Sequence, residues 1–123
     1  MTNFTYPKEK RLRKTSQFKY CYEHGKRFYS KHFVILVVAR FTRLGQGARL
    51  GVAVSKKLGN SVKRGRVKRL IREFYRLHHQ LLTKDLDLVV IAKRSLNPDS
   101  ITYWQVEKEL TPVFETIQSD NSL

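Results

Sequence analysis

Residues 55–76 read SKKLGNSVKRGRVKRLIREFYR, and this stretch decides how the rest of the chain is organised. Nine of its 22 residues are Lys or Arg, and Glu73 is its one acidic residue. Leu58-Gly59-Asn60 is a turn signal, after which Asn60 or Ser61 can accept a hydrogen bond from the free N–H groups of a starting helix. The stretch therefore predicts a turn followed by a helix that runs to about His79 or Leu82.

The predicted helix has two chemically different faces. At about 100° per residue, its apolar face collects Val67, Leu70, Ile71, Phe74, Leu77 and His78. Its opposite face carries a basic stripe at four-residue spacing, with Arg66 and Arg69 beside it: Arg64, Lys68, Arg72 and Arg76. Like charges at this spacing repel by about 0.2–0.5 kcal/mol per pair. The stripe therefore favours an anionic partner such as a phosphate backbone, and a merely solvated face is the alternative.

Gly65 lies near the middle of the basic face, where a helix former would be more stable by about 1 kcal/mol. A glycine there would let a partner backbone approach closely. The alternative is that glycine is simply tolerated near the start of a helix.

The length and charge of the chain indicate one nucleic-acid-binding domain over residues 1–123. Residues 1–76 carry 21 Lys and Arg against 3 acids, whereas residues 77–123 carry 4 against 7, which gives +18 and −3. An anionic membrane surface is the second candidate, but the longest aliphatic run, Val34–Ala39, is far too short for a span. No signal-peptide core is visible near Met1. The single cysteine, Cys21, excludes an internal disulfide and a cysteine-based metal site, so we expect a reducing cytoplasm.

The other segments predict a small α+β domain. Residues 1–14 are polar and basic and predict a flexible arm, either mobile or extended, that is disordered without a partner. A short helix is expected from an N-cap at Thr15 to Gly25. Three strands are expected at Phe33–Phe41, Arg49–Ser55 and Leu86–Lys93, the first two as an antiparallel hairpin. A final amphipathic helix follows the turn at residues 97–100, and Pro112 is expected to kink or restart it.

The short first helix carries two large aromatic rings within a basic sequence. Phe18, Cys21 and Tyr22 share one face at i, i+3 and i+4. We interpret Cys21 as a core residue. For Phe18 and Tyr22, base stacking competes with burial in the core.

No catalytic constellation stands out among the side chains. There is no P-loop, no GxGxxG motif and no zinc-ligand spacing, and carboxylates are scarce in the basic half. A protein-only ribonuclease could use two histidines and a lysine as acid and base, and the residues alone leave that alternative open. They predict a basic RNA- or DNA-binding α+β domain without a catalytic or metal site of its own.

Residues 56–72 follow the spacing Lys-Lys-x-Gly-Asn-x-Val-x-Arg-x-Arg-x-Lys-Arg-x-x-Arg. This pattern resembles the signature of the bacterial ribonuclease P protein subunit. The resemblance covers nearly the whole chain, from the basic arm and the helix with Phe18 to the Val89-Val90-Ile91-Ala92 strand and the last helix. One position departs, because the family has Arg-Asn-Arg where this chain has Arg64-Gly65-Arg66.

The resemblance implies a protein that assembles, as a monomer, with a large catalytic RNA to cut the 5′ leader from precursor tRNA. The Mg²⁺ ions and the chemistry would belong mainly to the RNA. The residues implied to bind the catalytic RNA are Lys57, Asn60, Lys63, Arg64, Gly65, Arg66, Lys68, Arg69 and Arg72. Those implied to bind the leader, in a cleft between sheet and first helix, are Phe18, Tyr22, Phe33, Leu36 and Lys56.

The resemblance also implies a ribosomal-protein-like fold of about four strands and three helices. It would contain the rare left-handed βαβ crossover around the basic helix. A structural RNA-binding protein with no role in catalysis, such as a ribosomal protein, is the alternative function. The Phe18 and Tyr22 platform separates the two, since a purely structural binder would not need it on its surface.

Overall fold

A computed structural model describes residues 11–12, 14–40 and 47–123. In chain order the helices and strands are α1 (Thr15–His24), β1 (Lys26–Tyr29), β2 (Phe33–Ala39), β3 (Arg49–Ala53), α2 (Ser61–His78), β4 (Leu86–Ala92) and α3 (Tyr103–Ser119). Short 3₁₀ turns at Lys56–Leu58 and His79–Leu81 flank α2. The predicted α+β fold with four strands and three helices is therefore confirmed.

The sheet has the order β1-β2-β4-β3. Strand β2 pairs antiparallel with both β1 and β4, whereas β3 pairs parallel with β4. The hairpin predicted for Phe33–Phe41 and Arg49–Ser55 is wrong. These segments form β2 and β3, and β4 lies between them in the sheet. Residues 86–92, LDLVVIA, suit this central position because, apart from Asp87, they are apolar toward both faces. Strand β1 was not predicted, since its short sequence KRFY lies at an edge and is largely exposed.

The crossover from β3 through α2 to β4 is left-handed. In a strand of L-amino acids that runs upward, a residue whose side chain points toward the viewer directs its carbonyl to the right. We view the sheet from the α2 side with β3 running upward. The side chain of Leu50 in β3 then points toward the viewer, because it packs in the core beneath α2. Its carbonyl accepts a hydrogen bond from the Leu12 amide at 2.9 Å. Leu12 therefore lies to the right of β3 and β4 to its left, the rare hand that was expected.

The sheet has two unequal apolar cores, one on each face. On the face covered by α2 and α3, which we call the α2 face, odd-numbered residues of β2 and even-numbered residues of β4 are buried. On the other, the α1 face, the smaller core consists of Leu12, Cys21, Leu36 and Val89. Side chains alternate along each strand, so the two cores use neighbouring residues of the same strands.

The buried side of α2 is turned relative to the predicted apolar arc. Val67, Ile71 and Phe74 are buried as predicted, but Tyr75 is buried as well, whereas Leu70 and Leu77 are only half-buried. Tyr75 packs edge-on against Phe114 of α3, and its hydroxyl donates to the carbonyl of Ala48 at 2.5 Å. Because α2 contacts α3 as well as the sheet, its buried side is wider than one apolar stripe.

The end of the predicted flexible arm is fixed to the sheet, which corrects that prediction for Arg11 and Leu12. Arg11 forms a parallel bridge with Leu50, and Leu12 is buried in the small core. Leu12 therefore covers the outer edge of β3, where its amide donates a hydrogen bond to the Leu50 carbonyl. Residues 1–10 and 13 lie outside the described residues.

Two helix ends differ from expectation. The N-cap of α1 is Lys14 rather than Thr15, and the Gln17 side chain accepts a hydrogen bond from the Lys14 amide at 3.1 Å. Helix α3 runs through Pro112 without restarting, after a cap at Thr102, whose side chain accepts from the Gln105 amide. Among the described residues, no helix is long and apolar enough to cross a membrane.

Gly25 yields a test of this fold, because it joins α1 to β1 in a crowded place. A Cβ atom added there would lie 2.4 Å from the Cys21 carbonyl oxygen and 3.1 Å from the Leu36 Cβ. We expect Gly25→Ala to lower the free energy of unfolding by about 1–3 kcal/mol, as overpacking does. Urea denaturation measures it, and an unchanged midpoint would contradict the close contact of α1 with β2.

Candidate nucleic-acid interface

The start of α2 is built by a glycine and an asparagine of the basic stretch. Gly59 has a φ of 147°, a conformation that residues with a side chain rarely adopt. It turns the chain from the 3₁₀ turn into the helix. The Asn60 Oδ1 then accepts a hydrogen bond from the Lys63 amide at 3.0 Å, which confirms the predicted cap. Asn60 thus has a structural role at a position that is also expected to contact RNA.

The cations at the start of α2 have partners within the chain. Lys63 Nζ lies 3.1 Å from Asp99 Oδ2 at the surface. Arg66 donates to the Pro98 carbonyl at 2.9 Å, and Arg64 donates to the Gly59 carbonyl at 3.2 Å. The contacts with Asp99 and Pro98 hold the segment before α3 against α2, whereas the contact with Gly59 is local to the start of the helix.

Further along α2, three cations of the basic face make no ion pair among the described residues. Within the part of the chain that the structure describes, Lys68, Arg69 and Arg72 have no ion pair or hydrogen-bond partner for their side chains. Arg76 differs, because it pairs with Glu73 one turn before it. The predicted stripe therefore ends at Arg72 as an unneutralised surface.

Gly65 is open to solvent within this basic face. A Cβ added there would meet no atom within 4 Å. Intramolecular packing therefore does not require glycine at this position.

On the α1 face, helix α1 lies crosswise over one row of residues. The strand registers place Gly51, Val89, Leu36 and Arg27 side by side across all four strands. The Phe18 ring lies on Gly51, where an added Cβ would be 2.6 Å from two ring atoms. At the other end of the helix, Gly25 lies against Leu36. Helix α1 therefore runs along this row from β3 to β2.

The next row toward the carboxyl end of β3 is only partly covered. It consists of Ala53, Ile91, Val34 and Tyr29, which lie side by side on the α1 face. The first three are half-buried and Tyr29 is exposed. This row and α1 beside it define a groove, which we call the α1 groove, with an apolar floor and a helical wall.

The two aromatic residues predicted on α1 lie on the surface of that wall. Tyr22 is 46% exposed, and Phe18 is half-buried on Gly51. The buried Cys21 and Leu12 supply the packing beneath the helix. Tyr22 is therefore available to a ligand, whereas Phe18 also packs against the small core and exposes only part of its ring.

Two residues expected in the leader cleft do not line it. Phe33 is fully buried and belongs to the core on the α2 face, so its ring points away from α1. Leu36 faces α1 but is completely covered by it. Lys56 and Lys57 are exposed in the turn that follows β3, at the same sheet edge as Ala53.

The α1 face and the basic face of α2 meet at the outer edge of β3. A depression of about 340 Å³ there is lined by Arg11, Leu12, Phe18, Leu50, Gly51, Val52 and Arg72. Arg72 thus reaches from α2 to the end of α1 that carries Phe18. One strand of nucleic acid could contact both surfaces at this edge.

Some cations of the basic half are held by acids and serve the fold. Asp87 binds the Arg49 guanidinium through two bonds of 2.8 Å and Arg40 at 3.0 Å. The pairing raises the pKa of Arg49, through its hydrogen bond to Asp87 first of all. Sequence reasoning had no signal for this, because Asp87 lies 38 residues after Arg49.

The arrangement can bind phosphates and stack bases. Lys68, Arg69 and Arg72 offer charge, and Phe18 and Tyr22 offer rings, a combination suited to RNA. Among the described residues, no group of three His, Cys, Asp or Glu side chains could hold a metal ion.

Comparison with known proteins identifies the family. The family model for ribonuclease P matches residues 6–118. The chain belongs to the ribonuclease P protein family. The ribonuclease P protein component of Desulfovibrio desulfuricans is 42% identical over 113 residues, which cover 92% of this chain and 86% of that protein. That of Syntrophus aciditrophicus is 44% identical over 110 residues, covering 89% and 88%.

Solved ribonuclease P proteins have the same fold. The Thermotoga maritima protein superimposes with a TM-score of 0.77 at 28% identity, covering 86% of this chain and 96% of that one. The Staphylococcus aureus protein gives 0.76 at 31% identity, covering 91% and 98%. The family assignment agrees with the prediction made from residues 55–73.

The open surroundings of Gly65 yield a prediction about this ribonuclease P protein. Gly65→Ala should raise the free energy of unfolding by about 0.5–1 kcal/mol, because alanine is the better helix former and meets no obstacle. Thermal melting measures it, with the destabilising Gly25→Ala as the opposite control. A lower melting temperature would contradict the open site.

Proposed function

We propose that this protein binds the catalytic RNA of ribonuclease P through α2 and holds the 5′ leader of precursor tRNA in the α1 groove. The complex, in the cytoplasm, would remove the leader by endonucleolytic cleavage. The observation that carries the proposal is that two different surfaces lie on opposite faces of one four-stranded sheet. One surface carries Lys68, Arg69 and Arg72, which make no ion pair among the described residues, and the other is aromatic and apolar.

The α2 surface suits the catalytic RNA because a folded RNA presents closely spaced phosphates. Lys68, Arg69 and Arg72 project from a helix that α3 and the sheet hold in place. Their charges need not leave an internal partner to meet RNA. Three further cations on α2 would add contacts to the RNA if they exchanged their internal partners for phosphates or bound both at once. They are Lys63, Arg64 and Arg66. Lys57 and Asn60 lie at the start of the same surface.

The α1 groove suits the leader because a single strand exposes its bases. Stacking on Tyr22 and Phe18 tolerates any base, as a leader that differs among precursor tRNAs requires. Lys56, at the edge of the groove, would hold a leader phosphate. Phe33 and Leu36 support the groove from inside and are not proposed as contacts.

The chemistry is assigned to the RNA subunit. Mg²⁺ bound mainly by that RNA would supply the activated water and stabilise the leaving oxygen. The residues of this chain would hold the leader in place and neutralise phosphates near the cleavage site. One copy of the protein per complex suffices for these roles.

The direct test is reconstitution with a bacterial ribonuclease P RNA at low Mg²⁺. We expect the purified protein to restore cleavage of precursor tRNA at the leader junction, and the protein alone to cleave nothing. A complex that binds this RNA yet gives no increase in cleavage would favour a purely structural binder.

The first prediction from this function concerns α2. Arg69→Ala or Arg72→Ala should weaken binding to the catalytic RNA, and each should lower the slope of log affinity against log salt by about one unit. Lys108→Ala is the control, because Lys108 is an exposed cation on α3. Unchanged slopes in both α2 variants would show that the basic face is only solvated.

The second prediction concerns Tyr22, for which α1 itself offers a matched control. Tyr20 and Tyr22 are each 46% exposed, but they point in different directions around the helix. Tyr22→Ala should lower the affinity of the reconstituted complex for precursor tRNA at least fivefold, because base stacking contributes about 1–3 kcal/mol. Affinity for mature tRNA and the melting temperature should stay level.

Tyr20→Ala should change neither affinity. Equal losses for precursor and mature tRNA in Tyr22→Ala, or equal effects of the two tyrosines, would show that the leader lies elsewhere.

A further inference from the structure

We propose that Tyr29, with Lys93 and Arg27, forms a second stacking subsite at the β1 end of the α1 groove, which binds a leader nucleotide far from the cleavage site. This inference rests on the proposed function and extends it to residues outside the family signature. It follows from the position of Tyr29 in the cross-strand row.

Tyr29 continues the floor of the groove to the opposite edge of the sheet. It lies beside Val34 of β2, which lies beside Ile91 of β4, which lies beside Ala53 of β3. Three strand spacings separate Tyr29 from Ala53, or about 14 Å. Helix α1, with ten residues, has a length of about 15 Å and runs along the neighbouring row. A single strand of RNA lying in the groove beside α1 would therefore reach Tyr29.

The side chain of Tyr29 is large, apolar and uncovered. It is 60% exposed, more than Tyr22, although it lies in a strand whose other face packs on the core through Phe28. An exposed ring at the end of a groove that already carries two others suits a further base.

Two cations on the same face of the sheet could meet the phosphates of a nucleotide stacked on this ring. Lys93 Nζ lies 5.7 Å from the centroid of the Tyr29 ring and is held there by a 2.6 Å bond to the Ser30 carbonyl. A cation occupies one face of a ring, which leaves the other for a base. Arg27 is exposed on the same face of β1, two residues before Tyr29. The base would stack on Tyr29, and its phosphates would meet Arg27 and Lys93.

The position of the subsite fixes which nucleotide it binds. Helix α2 contacts β3 and carries the surface proposed for the catalytic RNA, whereas β1 is the far edge of the sheet. The leader nucleotides nearest the cleavage site would therefore lie at the β3 end. Tyr29 would bind one further toward the 5′ end, and only leaders long enough to cross the sheet would reach it.

The experiment is a series of precursor tRNAs with leaders of increasing length, bound by the complex reconstituted with a bacterial ribonuclease P RNA. Wild type should gain affinity with each added nucleotide until the leader passes Tyr29. Tyr29→Ala should match wild type for the shortest leaders and bind about five- to tenfold more weakly once the leader is long. Tyr29→Phe, which keeps the ring, should retain wild-type affinity throughout.

A salt titration provides a second readout. Arg27→Ala should lower the slope of log affinity against log salt by about 0.7 for long leaders, and leave it unchanged for short ones. Trp104→Ala is the control for removing an exposed ring, since Trp104 is 72% exposed on α3. It should have no effect at any leader length.

The outcomes separate this subsite from the function on which it rests. A leader-dependent loss in Tyr22→Ala with none in Tyr29→Ala would overturn the subsite and leave the groove in place. No leader-dependent loss in either variant would overturn both. A loss in Tyr29→Ala that is equal for mature tRNA would show that Tyr29 contacts another part of the complex.

Discussion

The parallel pairing of β4 with β3 is the constraint on which the rest of the structure depends. Because β4 enters between β2 and β3, its apolar residues are covered on both faces, and the sheet has a helix layer on each side. A parallel neighbour needs a crossover connection, and α2 is that connection. The left-handed path of this crossover places α2 on the face opposite α1, and its contacts with β3 place it at the end of the sheet opposite the exposed strand β1.

This topology keeps the two candidate RNA surfaces apart and yet lets them meet. Helix α2 and helix α1 lie on opposite faces, so phosphates bound by one do not compete for the aromatic rings of the other. They approach only at β3, where Gly51 admits the Phe18 ring and Arg72 reaches the same depression. A side chain at position 51 would displace that ring, which explains a glycine inside a strand.

Local patterns in the sequence predicted the helices, three of the strands and the basic face correctly. Periodicity, caps and turn residues act over a few positions, so Asn60 and the end of α2 could be found. Strand order depends on contacts between distant segments. The antiparallel hairpin was predicted wrongly because nothing near β2 or β3 indicates that β4 pairs with both.

The site was predicted better for α2 than for the sheet. The cations on the basic face of α2, among them Arg69 and Arg72, could be predicted without knowing the fold. The pairing of Asp87 with Arg40 and Arg49 could not, because it depends on tertiary contacts. Phe33 could have been corrected from the sequence, since Phe33 and Leu36 lie three apart in one strand and must face opposite sides. Tyr29 could not have been found, because its place beside Val34 depends on the register of an unpredicted strand.

Crosslinking from single cysteines can measure which RNA each of the two faces contacts. The native Cys21 is buried, and burial raises its pKa to about 11, so a thiol reagent at neutral pH would label Tyr22→Cys or Arg69→Cys selectively. With a photoreactive group at each position in turn, the account predicts crosslinks from position 22 to the precursor leader and from position 69 to the catalytic RNA. Crosslinks from position 69 to the leader, or from position 22 to the catalytic RNA alone, would contradict it.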